Sequence, residues 1–482
     1  MRSLRNNFIF DMLNNISNLI FPLITFPYVT RVLLPDGLGT ANFCQSLIQY
    51  VVMISALGIP TYATKEVSKL RDQKEKLSIF TFEILILHTI FSVIGYFISL
   101  LLLFIPSVHV VEKTYLIASL HIIFNLFGLT WFYQGIEEFK FITIRALSFR
   151  IVSVFLLFFF VKDSGDVNVY MFITILSEVG NNICNVLRIH KYVDFDIVSF
   201  NKLDLARHMR PIVSFFLISV STMIYFNTDN IMIGLIKDTQ AVGYYTPALK
   251  IQRLSMTILL SIGTILFPRL ANLNMVNKSA FWELGRKGLL LTIGLGLPVF
   301  FAVVVLSEDL IILFSGTSYD PSILALSLLS PVILFGTCSN IISKILICQN
   351  MNRIVLRSTA VGAIINILFN GLLISFFSHY GAALASTISE IGVLSTMLYY
   401  GKCGLSRELS YKHIIVYVSS AFIMLAILLC IQLLGIENII FELFLSVVVG
   451  TISYLICLVL FKDTEIAPFV RKCVSSIKWH AF

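Results

Sequence analysis

The sequence predicts an all-α membrane protein with about 14 transmembrane helices, and three observations carry that prediction. Apolar residues come in spanning lengths, basic residues alternate between successive loops, and polar residues inside the apolar runs recur with helical period. Of the 482 residues, 57% are hydrophobic and 13% charged. A soluble domain carries charge at about a quarter of its residues. So few charges could not cover a globular surface, whereas a bilayer accepts an apolar exterior.

A span needs about 20 mostly apolar residues to cross roughly 30 Å of hydrocarbon. Fourteen runs qualify, near 8–30, 39–62, 79–105, 114–134, 142–161, 167–189, 211–236, 242–267, 288–306, 322–348, 358–377, 381–400, 413–433 and 440–461. The first, sixth and seventh carry the most polar residues. Asp11, Asn14, Asn15 and Asn18 interrupt the first run, and apolar character continues to Pro35, so it reads as a retained span rather than a cleaved signal. The eight cysteines contain no CxxC pair and read as small buried hydrophobes. No metal or cofactor site is expected.

Orientation follows from the rule that Lys and Arg collect in cytoplasmic loops. With the N-terminus inside, the inner segments hold 28 basic residues and the outer loops hold four: Arg31, Lys113, Lys162 and Lys237. Both termini are then cytoplasmic. The net charge of +8 is inner-surface charge facing anionic lipid, and no nucleic-acid partner is expected. The outer loops are short, and no GxxxxGK[ST] phosphate loop occurs. These features argue against an ATP-driven pump or a membrane enzyme with a large catalytic loop, and for a transporter that leaves its substrate chemically unchanged.

A weak internal repeat divides the chain. Gly39 and Gly243 open the second and eighth runs, Gln134 and Gln349 close the fourth and tenth, and Ser177-Glu178-Val179-Gly180 matches Ser389-Glu390-Ile391-Gly392. The expected organisation is a parallel repeat of two six-helix lobes around a central cavity. The lobes are 1–190 and 211–400, joined by a cytoplasmic linker over 191–210, with two additional helices and a tail over 401–482. Phe195, Val198, Leu203 and Leu205 allow an interfacial amphipathic helix in the linker.

Polar side chains in a span must face protein or water. In the first run Asp11, Asn14, Asn18 and Thr25 share one helical face; in the second Asn42, Gln45 and Gln49 do. In the seventh, Ser214, Ser221, Tyr225 and Thr228 align, with Asp229 adjacent, and in the eighth Thr246, Lys250, Arg253 and Thr257 align. The repeat maps Asn42, Ser46 and Gln49 onto Thr246, Lys250 and Arg253. These faces are expected to line the cavity. There Lys250 and Arg253 would attract an anion such as a phosphate, and Asn14, Asn18, Asn42, Gln45, Gln49 and Tyr225 would offer hydrogen bonds. Asp229 serves equally as a ligand or as a structural ion pair or cap.

Other polar residues have plainer readings. Arg31 reads as an interfacial residue and Lys344 as a snorkelling one. Glu178 and Glu390 read as internal fasteners, His88 and His121 as lone buried histidines, and Asn366 with Asn370 as a helix-packing pair. Pro27, Gly37, Gly39, Gly243 and Pro247 are candidate bending points.

Four segments carry a family resemblance. Thr30–Tyr50 (TRVLLPDGLGTANFCQSLIQY), Trp131–Arg150 (WFYQGIEEFKFITIRALSFR), Asp229–Arg253 and Asn366–Glu390 together resemble the bacterial polysaccharide-repeat flippases, the O-antigen transporter type. That group belongs to the multidrug/oligosaccharidyl-lipid/polysaccharide exporter superfamily. The resemblance implies two six-helix lobes around an often cationic cavity, in the bacterial inner membrane. It also implies a polyprenyl-pyrophosphate-linked oligosaccharide as substrate, passed from the cytoplasmic to the periplasmic leaflet. Membrane lipid, a polysaccharide polymerase and chain-length proteins are the partners it suggests. The rival readings are a multidrug or cation antiporter of the same superfamily, a membrane polymerase or ligase, and a peptidoglycan-precursor flippase.

Overall fold

The computed structural model describes residues 4–194, 196, 203–401 and 411–468. The elements among them are all helices, which suits a lipid-embedded backbone because each helix satisfies its own N–H and C=O groups. Eleven of the described helices are long and apolar enough to cross a membrane. The chain divides into two compact units, Met1–Gly243 and Tyr244–Phe482.

The first unit opens with α1 (Leu4–Ala56), followed by α2 (Ile59–Leu70), α3 (Lys74–Leu101), a single turn α4 (Pro106–His109), α5 (Glu112–Asn125), α6 (Thr130–Gly135), α7 (Phe139–Phe160), α8 (Val167–Ile189) and α9 (Ala206–Ile236). The sequence separates two runs at 31–38, and α1 is two helices that meet at a kink within that interval. Its 53 residues are enough for two crossings, at about 1.5 Å of rise per residue. The continuity is broken at Leu34, where φ is 58° and ψ 174°. Leu34 precedes Pro35, whose ring disfavours helical geometry in the residue before it, so the break falls there. α8 and α9 occupy the sixth and seventh expected runs but are not among the eleven, consistent with their polar content.

The second expected run is followed by α2, which ends at Leu70, and α3 starts at Lys74. α7 begins at Phe139, so Arg145 and Arg150 sit within it, as they do in the expected run 142–161. A charge ends an apolar run in sequence, but it does not end a helix whose neighbours accept from its guanidinium. The amphipathic reading of the linker falls largely on residues outside those described.

Side chains complete the backbone where helices stop. Between α5 and α6 the chain leaves carbonyls without helical partners. The amides of Asn182 and Asn185 on α8 donate to Phe124 O at 3.2 Å and Phe127 O at 3.3 Å, and Tyr133 Oη donates to Asn185 O at 2.7 Å. Glu83 on α3 is fully buried. It accepts from the Asp204 N–H at 2.7 Å and from Arg207, and it lies 2.9 Å from His208 Nε2, whose Nδ1 is 2.7 Å from Tyr62 Oη. This cluster pins the start of α9 to α2 and α3.

The second unit holds α10 (Thr239–Val276) from Tyr244 onward, then α11 (Lys278–Val305), α12 (Ser307–Ser315), α13 (Pro321–Cys348), α14 (Asn352–Phe377), α15 (His379–Gly401), α16 (Tyr411–Gln432) and α17 (Ile439–Leu460). α13 packs between α11 and α15, and α14 lies against α15. α16 and α17 join α11 through a shared core around Leu290, Leu297, Tyr417, Met424 and Tyr454. Gln432 donates to Val305 O at 2.7 Å, satisfying the end of α11. Asp463 accepts from the N–H groups of Glu465, Ile466 and Ala467 and contacts His413 at 3.1 Å.

Candidate functional site

The first unit contains a cavity of about 490 Å³ bordered by α1, α7 and α8. An apolar run would normally turn lipophilic residues inward here, but Asn18 and Thr25 from α1, Arg150 and Ser153 from α7, and Tyr170, Thr174, Ser177, Glu178 and Asn181 from α8 make the wall polar. Polar side chains on spanning helices such as α1 and α7 are costly unless they meet polar partners, water or a polar ligand.

Arg150 is the centre of the site. It donates to the backbone O and the Oδ1 of Asn14, the latter at 3.2 Å, and to Ser17 Oγ and Asn18 Oδ1. All four acceptors are neutral. Among the described residues no carboxylate lies within ion-pair distance of Arg150, so four dipoles orient its charge without cancelling it. Glu178 lines the same cavity but pairs with His121 instead, at 2.8 Å. Asn181 Oδ1 is buried without a hydrogen-bond partner. The arrangement suits an anion with hydroxyl-bearing groups attached: a fixed cation, a carboxylate-imidazole pair, and amides and hydroxyls between them.

The predicted residues fall into three groups. Asn14 and Asn18 converge on Arg150, so the polar face of the first run turns toward α7 of its own unit. In the second group, Gln49 accepts from Asn227 Nδ2 at 3.1 Å, Tyr50 Oη lies 2.7 Å from Thr228 Oγ1, and Asn230 Nδ2 donates to Ser46 Oγ at 3.3 Å. Asp229 is buried beside this group, and Gln45 is half-buried on the same helix. Asn42 spends one amide hydrogen on its own helix, donating to Leu38 O at 2.8 Å. Tyr225 lies in α9, but its side chain is outside those described. The third group is in the second unit, where Lys250 is half-buried and Arg253, one turn further along α10, is exposed.

The residues taken as structural also resolve. Arg31 Nη1 donates to Pro27 O at 2.9 Å, and Lys344 Nζ sits 5.2 Å from the centroid of the Phe267 ring. Asn370 Nδ2 donates to Asn366 Oδ1 at 3.0 Å along α14. Glu390 is buried with its carboxylate against Gly336 of α13. Gly39 and Gly243 act as contact points, because a Cβ at residue 243 would lie 1.8 Å from Pro35 O. Sequence reading missed Arg150 and Ser17, although it found Asn14 and Asn18. The available signal was a charge inside the apolar stretch ALSFRIVSVFLLFFF, with Ser153 following at i+3.

A protein of Escherichia coli (strain K12), named for an inferred role as an O-antigen transporter, is 25% identical over 83% of this chain and 96% of its own length. A Shigella dysenteriae protein of the same name is 22% identical over 82% and 99%. A Haloferax volcanii protein, named for an inferred role as a low-salt glycan biosynthesis flippase, is 23% identical over 52% and 53%. Among solved structures, the lipid II flippase MurJ in an inward closed conformation superposes with a TM-score of 0.74 at 16% identity, covering 95% of this chain and 99% of that one. An inward-facing multidrug resistance transporter of the MATE family superposes at 0.61 with 13% identity, covering 80% and 94%. These two likenesses establish the fold. The MatE family pattern matches residues 213–372, and the pattern of the polysaccharide biosynthesis protein family matches residues 4–274, more than half of the sequence. The chain belongs to the polysaccharide biosynthesis protein family.

Proposed function

We propose that this protein is a flippase that carries a polyprenyl-pyrophosphate-linked polysaccharide repeat unit from the cytoplasmic to the periplasmic leaflet of the bacterial inner membrane. The observation that carries this reading is Arg150, a guanidinium held by neutral acceptors in the polar cavity bordered by α1, α7 and α8. A diphosphate supplies the charge that the site lacks, and the sugars supply hydroxyls for Asn18, Ser153, Ser177 and Asn181. Lys250 and Arg253 form a second cationic face, and Gln45, Gln49 and Asp229 extend the polar surface on α1 and α9. The names of the relatives, O-antigen transporter and glycan biosynthesis flippase, support the same substrate class. We read the chain as two lobes over 1–190 and 211–400 that expose the polar faces to one leaflet and then the other. Both termini are cytoplasmic in this reading. The polyprenyl tail stays in lipid, which avoids hydrating it at about 0.8 kcal/mol per CH₂. No covalent step is required, so the protein acts as a transporter and not as an enzyme. A polysaccharide polymerase and chain-length proteins are the partners that would act on the delivered unit.

The test is reconstitution in vesicles with a fluorescent polyprenyl-pyrophosphate oligosaccharide, scored by its accessibility to a non-permeant reagent. Wild type is expected to move the lipid. Arg150→Ala and the double variant Lys250→Ala/Arg253→Ala are expected to move it far more slowly while remaining folded. Equal rates in all three would separate the function from these sites. Exchange of a cationic dye with no movement of the lipid would replace the flippase with an antiporter.

A further inference from the structure

The segment Trp131–Arg150 holds a second arginine that the cavity does not use. Arg145 on α7 is 5% exposed. Its Nη2 makes one long hydrogen bond, to Thr130 Oγ1 at 3.3 Å, while its Nε and Nη1 are buried without partners. No carboxylate pairs with it among the described residues. A buried guanidinium with two unsatisfied donors is expensive in any protein and calls for an anionic partner.

A second guanidinium lies close by. The Phe141 ring carries the Arg145 Cζ at 5.2 Å from its centroid and the Arg188 Cζ at 4.4 Å, so no more than about 10 Å separates the two guanidinium carbons. The Arg188 side chain is 36% exposed, and its Nε is also without a partner. Glu138 stands 3.7 Å from Arg188 Nη2 and accepts from Tyr192 Oη, while Lys191 Nζ lies 5.9 Å from the centroid of the Tyr192 ring. Among the described residues, Glu138 is the one carboxylate within ion-pair distance of Arg188, and none lies within that distance of Arg145.

We propose that Arg145 and Arg188 form a binding site for a phosphate group carried on a lipid at the membrane surface. Arg145 is its buried floor and Arg188 its exposed rim. A phosphate has oxygens enough to accept from both guanidinium groups. Arg188 is next to the last residue of α8, at the end that the distribution of lysine and arginine assigns to the cytoplasmic surface, where lipid phosphates lie. The phosphate can belong to a bilayer phospholipid or to the diphosphate of the transported lipid; only the second source rests on the flippase reading.

The test is native mass spectrometry of the purified full-length chain in detergent. Phosphatidylglycerol and farnesyl diphosphate are the probes, and diacylglycerol is the phosphate-free control. Wild type is expected to retain at least one phosphate-bearing probe, and Arg145→Gln/Arg188→Gln to bind it about tenfold more weakly or worse, as expected for lost charged hydrogen bonds. Diacylglycerol retention should not change. Arg188→Gln alone alters an exposed position, so its expected partial loss decides the matter if the double variant does not fold. Retention of phosphatidylglycerol alone assigns the site to bilayer lipid, and retention of farnesyl diphosphate alone assigns it to substrate. Equal retention of the phosphate-bearing probes by wild type and Arg188→Gln, or a parallel loss of diacylglycerol, overturns the proposal. Binding is read here without transport, so failure of this site and failure of the flippase reading are separate results.

Discussion

Arg150 and Glu178 line one cavity and do not pair with each other: Arg150 is held by Asn14, Ser17 and Asn18, and Glu178 by His121 at 2.8 Å. Opposite charges that share a cavity usually neutralise one another, so their separate anchoring leaves the cation available. Arg150→Lys keeps the charge but cannot reproduce the planar fork that reaches three side chains. It is expected to transport more slowly than wild type but faster than Arg150→Ala. The vesicle assay measures this order directly, and equal rates for Lys and Ala would show that charge is irrelevant at this position.

Gly39 and Gly243 should tolerate no side chain. A Cβ at residue 39 would lie 1.7 Å from Thr239 O, and one at residue 243 would lie 1.8 Å from Pro35 O. Both obstacles are backbone atoms that cannot rotate away. Gly243→Val is expected to destabilise the protein by about 1–3 kcal/mol or more, the usual range for overpacking. A thermal melt in detergent checks it, and an unchanged midpoint would contradict the close approach.

Glu83 should be a stability residue and not a transport residue. It is fully buried and bonds Asp204 N–H, Arg207 and His208. Glu83→Ala leaves His208 and the start of α9 without their anchor. The expected loss is about 3 kcal/mol, as for breaking other buried charged pairs, read as a lowered denaturation midpoint.

Asp309 supplies a pH dependence. Burial, followed by the nearby Glu442 and Glu308, raises its carboxyl from 3.8 to about 6. The folded protein therefore holds this proton more tightly than the unfolded chain does. Its contribution to stability is greatest below the unfolded value, falls as pH rises from about 4 to about 6, and is flat above. Asp309→Asn is expected to remove that slope and to melt higher than wild type near neutral pH. Parallel pH profiles of the two proteins would contradict the assignment.

The sequence by itself determined the class of this protein. Apolar runs of spanning length, a basic bias on one side, and the motifs at Thr30–Tyr50 and Trp131–Arg150 were enough for a helical membrane protein of the polysaccharide flippase type, because lipid leaves the backbone so few solutions. Helical phase also found Asn14 and Asn18. What only the tertiary structure decided is which residues those two amides serve. Arg150 is more than 130 residues away from them in the chain, and the sequence reading did not single it out. The pairing of Glu178 with His121, the contact of Gly243 with Pro35 and the sharing of Phe141 by Arg145 and Arg188 were equally illegible. Periodicity reports which face of a helix is polar, but only the packing of one helix on another decides what that face meets.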